Sequence, residues 1–503
     1  MKTPAEMGLP RKFTTWRNGQ EQAYRDLLAC EKDRLVQVLP TGVGKSLLYM
    51  AGAVEKCEPT VILTSTKALQ SQLVNDFSSI GLVEVRGKRN YRCVRGDGPT
   101  CEDGLCHYGV DCDFKGGGCP YYDALRQARQ SRYVVTNYAM WLSVGEFLSE
   151  GRKLLVMDEA HAAPDHLNSH LIVDLDLGFM SKAVGRELYL ARNGDWRGWL
   201  KSLQPVVTEL LAEGLRHPDM NLTKLRELAK VQRTLDSLSR IGDSPLVVDE
   251  AGKNHWVINP LTLLKYAEPC LFRNLPVHMT SATVTLHTVQ MLGMKDYEFY
   301  EYPSPFPVEN RAVVVLPTVK VDRKIDHGGE MMWLSRIDQI VGKYLSQKGI
   351  IHTVSYDRAW RIVKNSKYRQ YSVMHRSSDT ILKVAKFKNM RPPAFMVSPA
   401  MTTGWDFPYE LCKWQIIAKV PFPDFSSNIM RERMKLDPDL LQHMAWQTLV
   451  QEAGRGTRAE DDHCITFVVD DHFKRLHNKY GYLAPRWFKD AIRYSTTLPE
   501  PRS

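Results

Sequence analysis

The apolar run Leu154-Leu155-Val156-Met157, followed at once by Asp158-Glu159-Ala160-His161, constrains this chain more than any other stretch. A short aliphatic strand ending in adjacent carboxylates sets two negative charges at a sheet edge, where they can hold magnesium and polarise a water. Upstream stands Leu39-Pro40-Thr41-Gly42-Val43-Gly44-Lys45-Ser46, between the strand-like Leu35-Val36-Gln37-Val38 and the helix-like Ser46-Leu47-Leu48-Tyr49-Met50. It departs from the G-x-x-x-x-G-K-[ST] pattern in one place, since Leu39 occupies the first glycine position. The mechanics survive that change. Gly42 and Gly44 let the backbone curl so that the N–H groups of Thr41 to Ser46, Val43 included, face a phosphate at a helix N-terminus. Lys45 can reach the β- and γ-phosphates, and Ser46 with Asp158 can ligate Mg2+. Strand, loop and helix in that order predict an ATP site in an α/β domain.

A chain of 503 residues accommodates two to four domains, each with its own core. Its hydrophobic content of 43% and charged content of 25% are those of an ordinary globular protein. No apolar run is long enough for a membrane span, and residues 1–11 lack the apolar core of a secretory signal, so the expected compartment is cytoplasmic with no membrane partner. A net charge of +10 favours a polyanionic partner such as nucleic acid.

Five of the ten cysteines (Cys93, Cys101, Cys106, Cys112 and Cys119) are crowded into a Gly-rich stretch. In a reducing compartment such a cluster reads as a metal site before it reads as disulfides. Zinc prefers C-x2–4-C pairs, and the gaps of seven, four, five and six residues meet that range once. Thiolates spread over glycine loops also suit an iron–sulfur cubane. Spacing leaves both metals open.

At this point the chain resembles a known family, the XPD/DinG-type (DEAH-box, Rad3-related) iron–sulfur superfamily 2 DNA helicases, and the resemblance runs nearly end to end. Arg17-Asn18-Gly19-Gln20 resembles the entry motif that contacts adenine, and Thr64-Ser65-Thr66-Lys67-Ala68-Leu69 a motif that touches the nucleic-acid backbone. Gly87 to Cys93 and Cys119-Pro120-Tyr121-Tyr122 are similar to the segments that flank the family's cluster. His278-Met279-Thr280-Ser281-Ala282-Thr283 resembles motif III, and Ser304-Pro305-Phe306-Pro307 the crossing between motor halves. Gly349 to Tyr356 opens a second parallel-sheet pattern, and Val397 to Phe407 resembles motif V. Gln451-Glu452-Ala453-Gly454-Arg455-Gly456-Thr457-Arg458 matches the Q-x-x-G-R-x-x-R form of motif VI. If helical, it sets Gln451, Arg455 and Arg458 on one face.

The resemblance implies an α/β fold of two RecA-like P-loop motor domains, the first carrying an iron–sulfur insertion and a helical arch. The expected parts are 1–86, 133–165 and 259–318 for the first motor domain, 87–132 for the cluster insertion, 166–258 for the arch and 319–503 for the second motor domain. Within the arch, residues 200–238 show helical spacing, while Leu246-Val247-Val248 and His255-Trp256-Val257-Ile258 read as a strand pair. The chain starts about 35 residues before the phosphate loop, with no nuclease motif in that stretch.

By the same resemblance, Lys45, Asp158, Glu159, Arg455 and Arg458 are catalytic, with Glu159 as general base and the arginines as stabilisers across the cleft. Arg17, Gln20, His161, Gly404, Asp406 and Gln451 join the phosphate loop in binding ATP. The family's [4Fe-4S] cluster takes four cysteines where this chain offers five. The flanking motifs select Cys93, Cys106, Cys112 and Cys119, whereas a C-x4-C-x5-C spacing selects Cys93, Cys101, Cys106 and Cys112. Tyr91, Tyr108, Tyr121 and Tyr122 are candidates either for base stacking or for packing the insertion. The implied activity is ATP-driven 5′-to-3′ translocation on single-stranded DNA and unwinding of duplex or forked DNA, in repair, replication or recombination. The alternatives are an RNA helicase and a nucleic-acid-stimulated ATPase or remodelling factor without strand separation.

Overall fold

The computed structural model describes residues 1–189, 196–216, 222–242, 244–399 and 407–502. Two seven-stranded sheets, all parallel, organise the chain. The first runs in the spatial order Glu298–Glu301, Arg34–Val38, Val277–Ser281, Leu154–Asp158, Thr60–Thr64, Tyr133–Asn137 and Leu82–Glu84. The second runs Ser372–Met374, Ala394–Ser398, Lys348–His352, Trp414–Ile417, Ile465–Val468, Val313–Val315 and Ile492–Tyr494. Strands buried on both faces read as continuous apolar runs, and Val-Ile-Leu at 61–63 and Ile-Ile at 350–351 are fully buried.

Helices cover both sheets, and their starts are written in the sequence. Thr66, Asn137, Asp326 and Ser355 each accept a backbone N–H in the first turn of the helix that follows, a cap that contributes about 1 kcal/mol. Four tryptophans (Trp141, Trp333, Trp414 and Trp446) are among the largest fully buried side chains, one in the first motor domain and three in the second.

Two insertions leave the first sheet. The cysteine segment consists of the 3-10 turns Lys88–Asn90, Leu105–Tyr108 and Asp113–Lys115, followed by the helix Pro120–Gln130. The arch consists of the helices Trp196–Arg216 and Leu222–Ile241 and the antiparallel strands Leu246–Gly252 and His255–Pro260. A third strand that the sequence reading did not anticipate, Val173–Asp176, pairs with His255–Pro260. A second difference concerns the motor boundary. The second sheet already includes Val313–Val315, paired with Ile465–Val468 and Ile492–Tyr494, so it begins before the expected 319. The run Val-Val-Val is equally apolar in either sheet, so composition could not assign it.

The arch closes on both neighbours. Arg226 donates to the Asp103 carbonyl at 2.8 Å, and an Arg233 nitrogen lies 2.7 Å from His107 Nε2, joining the second arch helix to the cysteine segment. On the other side Asp249 accepts the Asn428 N–H at 2.6 Å and the Ile429 N–H at 3.3 Å, which caps a helix of the second motor domain. Among the described residues no helix is long and apolar enough to cross a membrane.

Candidate functional site

The phosphate loop connects the strand Arg34–Val38 to the helix Lys45–Glu55. Gly42 (φ 81°) and Gly44 (φ 85°) occupy the left-handed region, which an L side chain enters at a cost of about 1 kcal/mol or more. Gln20 holds the loop from behind: its amide nitrogen donates to the Val43 carbonyl at 2.6 Å while its oxygen accepts the Arg17 N–H at 2.7 Å. The Arg17–Gln20 segment thus contacts the loop at Val43 and Gly44, and Thr41, Lys45 and Ser46 follow in the same turn.

The acidic pair stands opposite. Asp158 ends its strand and Glu159 turns the chain with φ 50°, strained for a residue with a side chain. Lys45 Nζ lies 3.5 Å from Glu159 Oε1. His161 Nδ1 lies 2.8 Å from Ser281 Oγ and 3.3 Å from Glu159 Oε2, and the Ser281 hydroxyl donates to the same carboxylate oxygen at 3.3 Å. Burial alone would raise Glu159, but Lys45, then His161 and Arg455, hold its carboxyl well below the usual range, so it stays ionised. Burial and the adjacent Glu159 charge push Asp158 up to about 6. Tyr49, one turn beyond Lys45, donates to Asp158 Oδ2 at 3.3 Å, and Tyr138 donates to the Asp158 carbonyl at 3.0 Å. Sequence reasoning missed both tyrosines; the only local signal is Tyr49 at i+4 from Lys45.

Motif VI forms the far wall. A Cβ on Gly454 would sit 3.1 Å from the Thr41 methyl, and one on Gly42 would sit 2.6 Å from the Phe306 ring and 3.1 Å from the Arg458 carbonyl. Both glycines are therefore required by the close approach of the two motor halves. Gln451 donates to Thr283 at 2.9 Å, linking motif VI to motif III. The expected helix over 451–458 is corrected here. The helix Leu440–Ala453 includes Gln451 and stops before Arg455 and Arg458, which follow in the next turn. The reason is steric. Gly454 and Gly456 flank Arg455, and Gly456 packs directly on Cys464, so the chain leaves its helix to fit. Arg458 N–H donates to Asp462 at 3.1 Å. Arg455 faces the acidic pair closely enough to lower the Glu159 carboxyl. Gly404 and Asp406 lie outside the described residues.

In the cysteine segment the five thiols are gathered without meeting at one point. Cys101 Sγ is 3.8 Å from Cys119 Sγ, and a Cβ on Gly104 would lie 3.1 Å from Cys93 Sγ and 3.9 Å from Cys106 Sγ. Cys93, Cys101 and Cys119 are buried, while Cys106 and Cys112 are half-buried. Burial, then Cys119, push the Cys101 thiol up to about 12. Among the described residues no three His, Cys, Asp or Glu side chains converge to hold a single metal ion. Because Cys101 touches Cys119, each ligand set considered above leaves its spare thiol beside a chosen one. Tyr121 is buried and packs edge-on to Tyr91 (5.7 Å) and Tyr122 (5.1 Å), with the Lys88 ammonium 5.4 Å from its ring centre. Tyr108 lies under the guanidinium groups of Arg226 and Arg233, at 5.8 and 5.9 Å. These contacts are those of packing.

Comparison with known proteins agrees with this geometry. A family described as DEAD/DEAH box helicase matches residues 17–173, and one described as helicase C-terminal domain matches residues 345–491. No curated protein matches the chain in sequence. Among solved structures, an XPD helicase superposes with a TM-score of 0.64 at 14% identity, covering 96% of this chain and 100% of its own. Xpd4 of S. tokodaii superposes with a TM-score of 0.60 at 12% identity, covering 95% and 100%. Identities this low establish the fold, while the two family matches cover both faces of the cleft. The chain thus contains a DEAD/DEAH box helicase domain at residues 17–173 and a helicase C-terminal domain at residues 345–491, the two parts of an ATP-hydrolysing helicase, on the fold seen in XPD helicases.

Proposed function

We propose that this helicase acts on DNA, moving 5′ to 3′ along a single strand and unwinding forked or tailed duplexes in repair, replication or recombination. The observation that carries the ATP-driven step is the apposition of Thr41 with Gly454 and of Gly42 with the Arg458 carbonyl. Phosphates held at Lys45 would lie between the acidic pair and the motif VI arginines. Ser46 and Asp158 would ligate Mg2+. ATP phosphates would compete with Glu159 for Lys45, freeing the Glu159 carboxylate to accept a proton from the attacking water. Arg455 and Arg458 would stabilise the charge of the transferring phosphoryl group. The Gln451–Thr283 and His161–Ser281 contacts give the closing of the cleft a mechanical route into the first motor domain.

We assign the cysteine segment to a [4Fe-4S] cluster held by Cys93, Cys106, Cys112 and Cys119, with Cys101 the alternative ligand. Five thiols on a loop-rich segment, gathered but too dispersed for one ion, are a donor set that fits a polynuclear cluster. When bound, the cluster would supply rigidity to the segment. A single strand would take its passage along the contact of that segment with the arch, which Arg226 and Arg233 make. Net charge of +10 is in keeping with a phosphate backbone in that passage.

Unwinding of 5′-tailed, 3′-tailed and forked DNA duplexes tests the reading, with an RNA strand in parallel. Preference for the 5′ tail and the fork is expected. Preference for a 3′ tail would reject the polarity, and stimulation of ATP hydrolysis by RNA alone would reject the DNA substrate.

A further inference from the structure

Behind Arg455 lies a buried polar pair that the chemistry above does not use. Glu452, in the last turn of the helix Leu440–Ala453, is 2% exposed, and His352, at the end of its strand, is 1% exposed. Glu452 Oε1 lies 3.8 Å from His352 Nδ1. Among the described residues neither His352 Nδ1 nor Glu452 Oε2 has a hydrogen-bond partner.

The other edge of the ring is fixed. The Gln415 amide nitrogen donates to the Ala453 carbonyl at 2.7 Å and to Thr466 at 3.2 Å. Its oxygen, 3.1 Å from His352 Nε2, is therefore left to accept, and Nε2 must bear the hydrogen. In the neutral ring Nδ1 is then an acceptor facing a carboxyl group, which when ionised is also acceptor-only. Two buried acceptors face to face are costly, and a single proton between them turns the conflict into a hydrogen bond.

We propose that Glu452 and His352 share one proton at neutral pH, and that this neutral pair is a positioning element for Arg455. Losing the proton leaves a buried carboxylate three residues from the guanidinium, which is drawn inward and off the nucleotide phosphates. The proton equilibrium has the required direction. Burial raises the Glu452 carboxyl to about 8, opposed by Arg455, and burial lowers His352 to about 4. The groups that face Glu452 are the imidazole of His352 from its strand and the guanidinium of Arg455 from the same segment; Gln415, behind the imidazole, is neutral. The proton is bound below about pH 8 and lost above it, so Arg455 is correctly placed on the acid side.

The proposal rests on the ATPase reading, and the test separates the two. ATP hydrolysis by the full chain with single-stranded DNA is followed from pH 6 to 9.5 for the wild type and Glu452→Gln, alongside infrared titration of the carboxyl band. Wild-type turnover should fall about tenfold per unit above pH 8. Glu452→Gln, whose amide donates to Nδ1 without a titrating proton, should show no such limb, and a protonated-carboxyl band that disappears near pH 8 should be missing from it. An identical alkaline fall in Glu452→Gln, or a wild type without the titrating band, would overturn the proposal. Should Glu452→Gln fail to fold, His352→Gln must move the band and the alkaline limb together, and independence of the two overturns it equally. Wild-type protein with the band but no hydrolysis at any pH would instead reject the ATPase reading.

Discussion

The ATP cleft and the cysteine segment are built by opposite means. On the first-domain wall of the cleft, Lys45, Asp158, Glu159 and Ser281 stand at the end of a parallel strand or just after it, and sheet register sets their neighbours: Asp158 pairs with Thr280, beside Ser281. Lys45, Glu159, His161 and Ser281 touch one another through contacts of 2.8 to 3.5 Å. The cysteine segment has three short 3-10 turns, one helix and five thiols, with no such convergence. A site shaped by backbone is formed before its ligand arrives. A loop-rich segment of about 45 residues, with too little apolar surface to fold alone, would take its shape from the cluster proposed above.

That contrast predicts separable losses. The largest should come from Glu159→Gln, which keeps the shape of the cleft and removes the proposed base: nucleotide binding should be retained and turnover should fall by roughly 10²-fold or more. Equal loss of binding, read by titration with a fluorescent nucleotide, would mean that the carboxylate holds the cleft together.

Cys93→Ser should act on the other region alone. Visible absorbance and protein-bound iron disappear and strand separation is lost, while a good part of ATP hydrolysis remains. Cys101→Ser should be tolerated, and full unwinding by Cys119→Ser would move the ligand set to the alternative with Cys101. Stoichiometric zinc without iron would reject the cluster.

The smallest effect belongs to Tyr49→Phe. It removes one hydrogen bond to Asp158 worth about 1 kcal/mol, so turnover should fall by about fivefold with no change in unwinding per ATP. Unaltered turnover would show that Asp158 is held by the sheet alone.

Much of the cleft was legible because its chemistry is local. The strand, glycine turn and lysine from Arg34 to Lys45, and the strand ending at Asp158, are contiguous words whose order implies their geometry. What escaped depends on contacts distant in sequence. The stop of the motif VI helix at Ala453 depends on Thr41 and Cys464, which press on Gly454 and Gly456. Neither is visible from a Q-x-x-G-R-x-x-R spacing. The strand Val173–Asp176 escaped because its partner lies some eighty residues on, beyond three helices. Glu452 and His352 meet only when the second sheet forms, and each alone reads as an ordinary polar residue. In the cysteine segment, spacing identified the thiols and not which four bind, since all five gather around the same turns.

The account rests on a cleft that hydrolyses ATP in response to nucleic acid. The most direct test is steady-state ATP hydrolysis by the purified chain with and without single-stranded DNA, for the wild type and for Lys45→Ala, whose fold is checked by circular dichroism. Hydrolysis that rises severalfold with DNA in the wild type and vanishes in the folded variant is the predicted result. Hydrolysis indifferent to nucleic acid, or undiminished in Lys45→Ala, would contradict it.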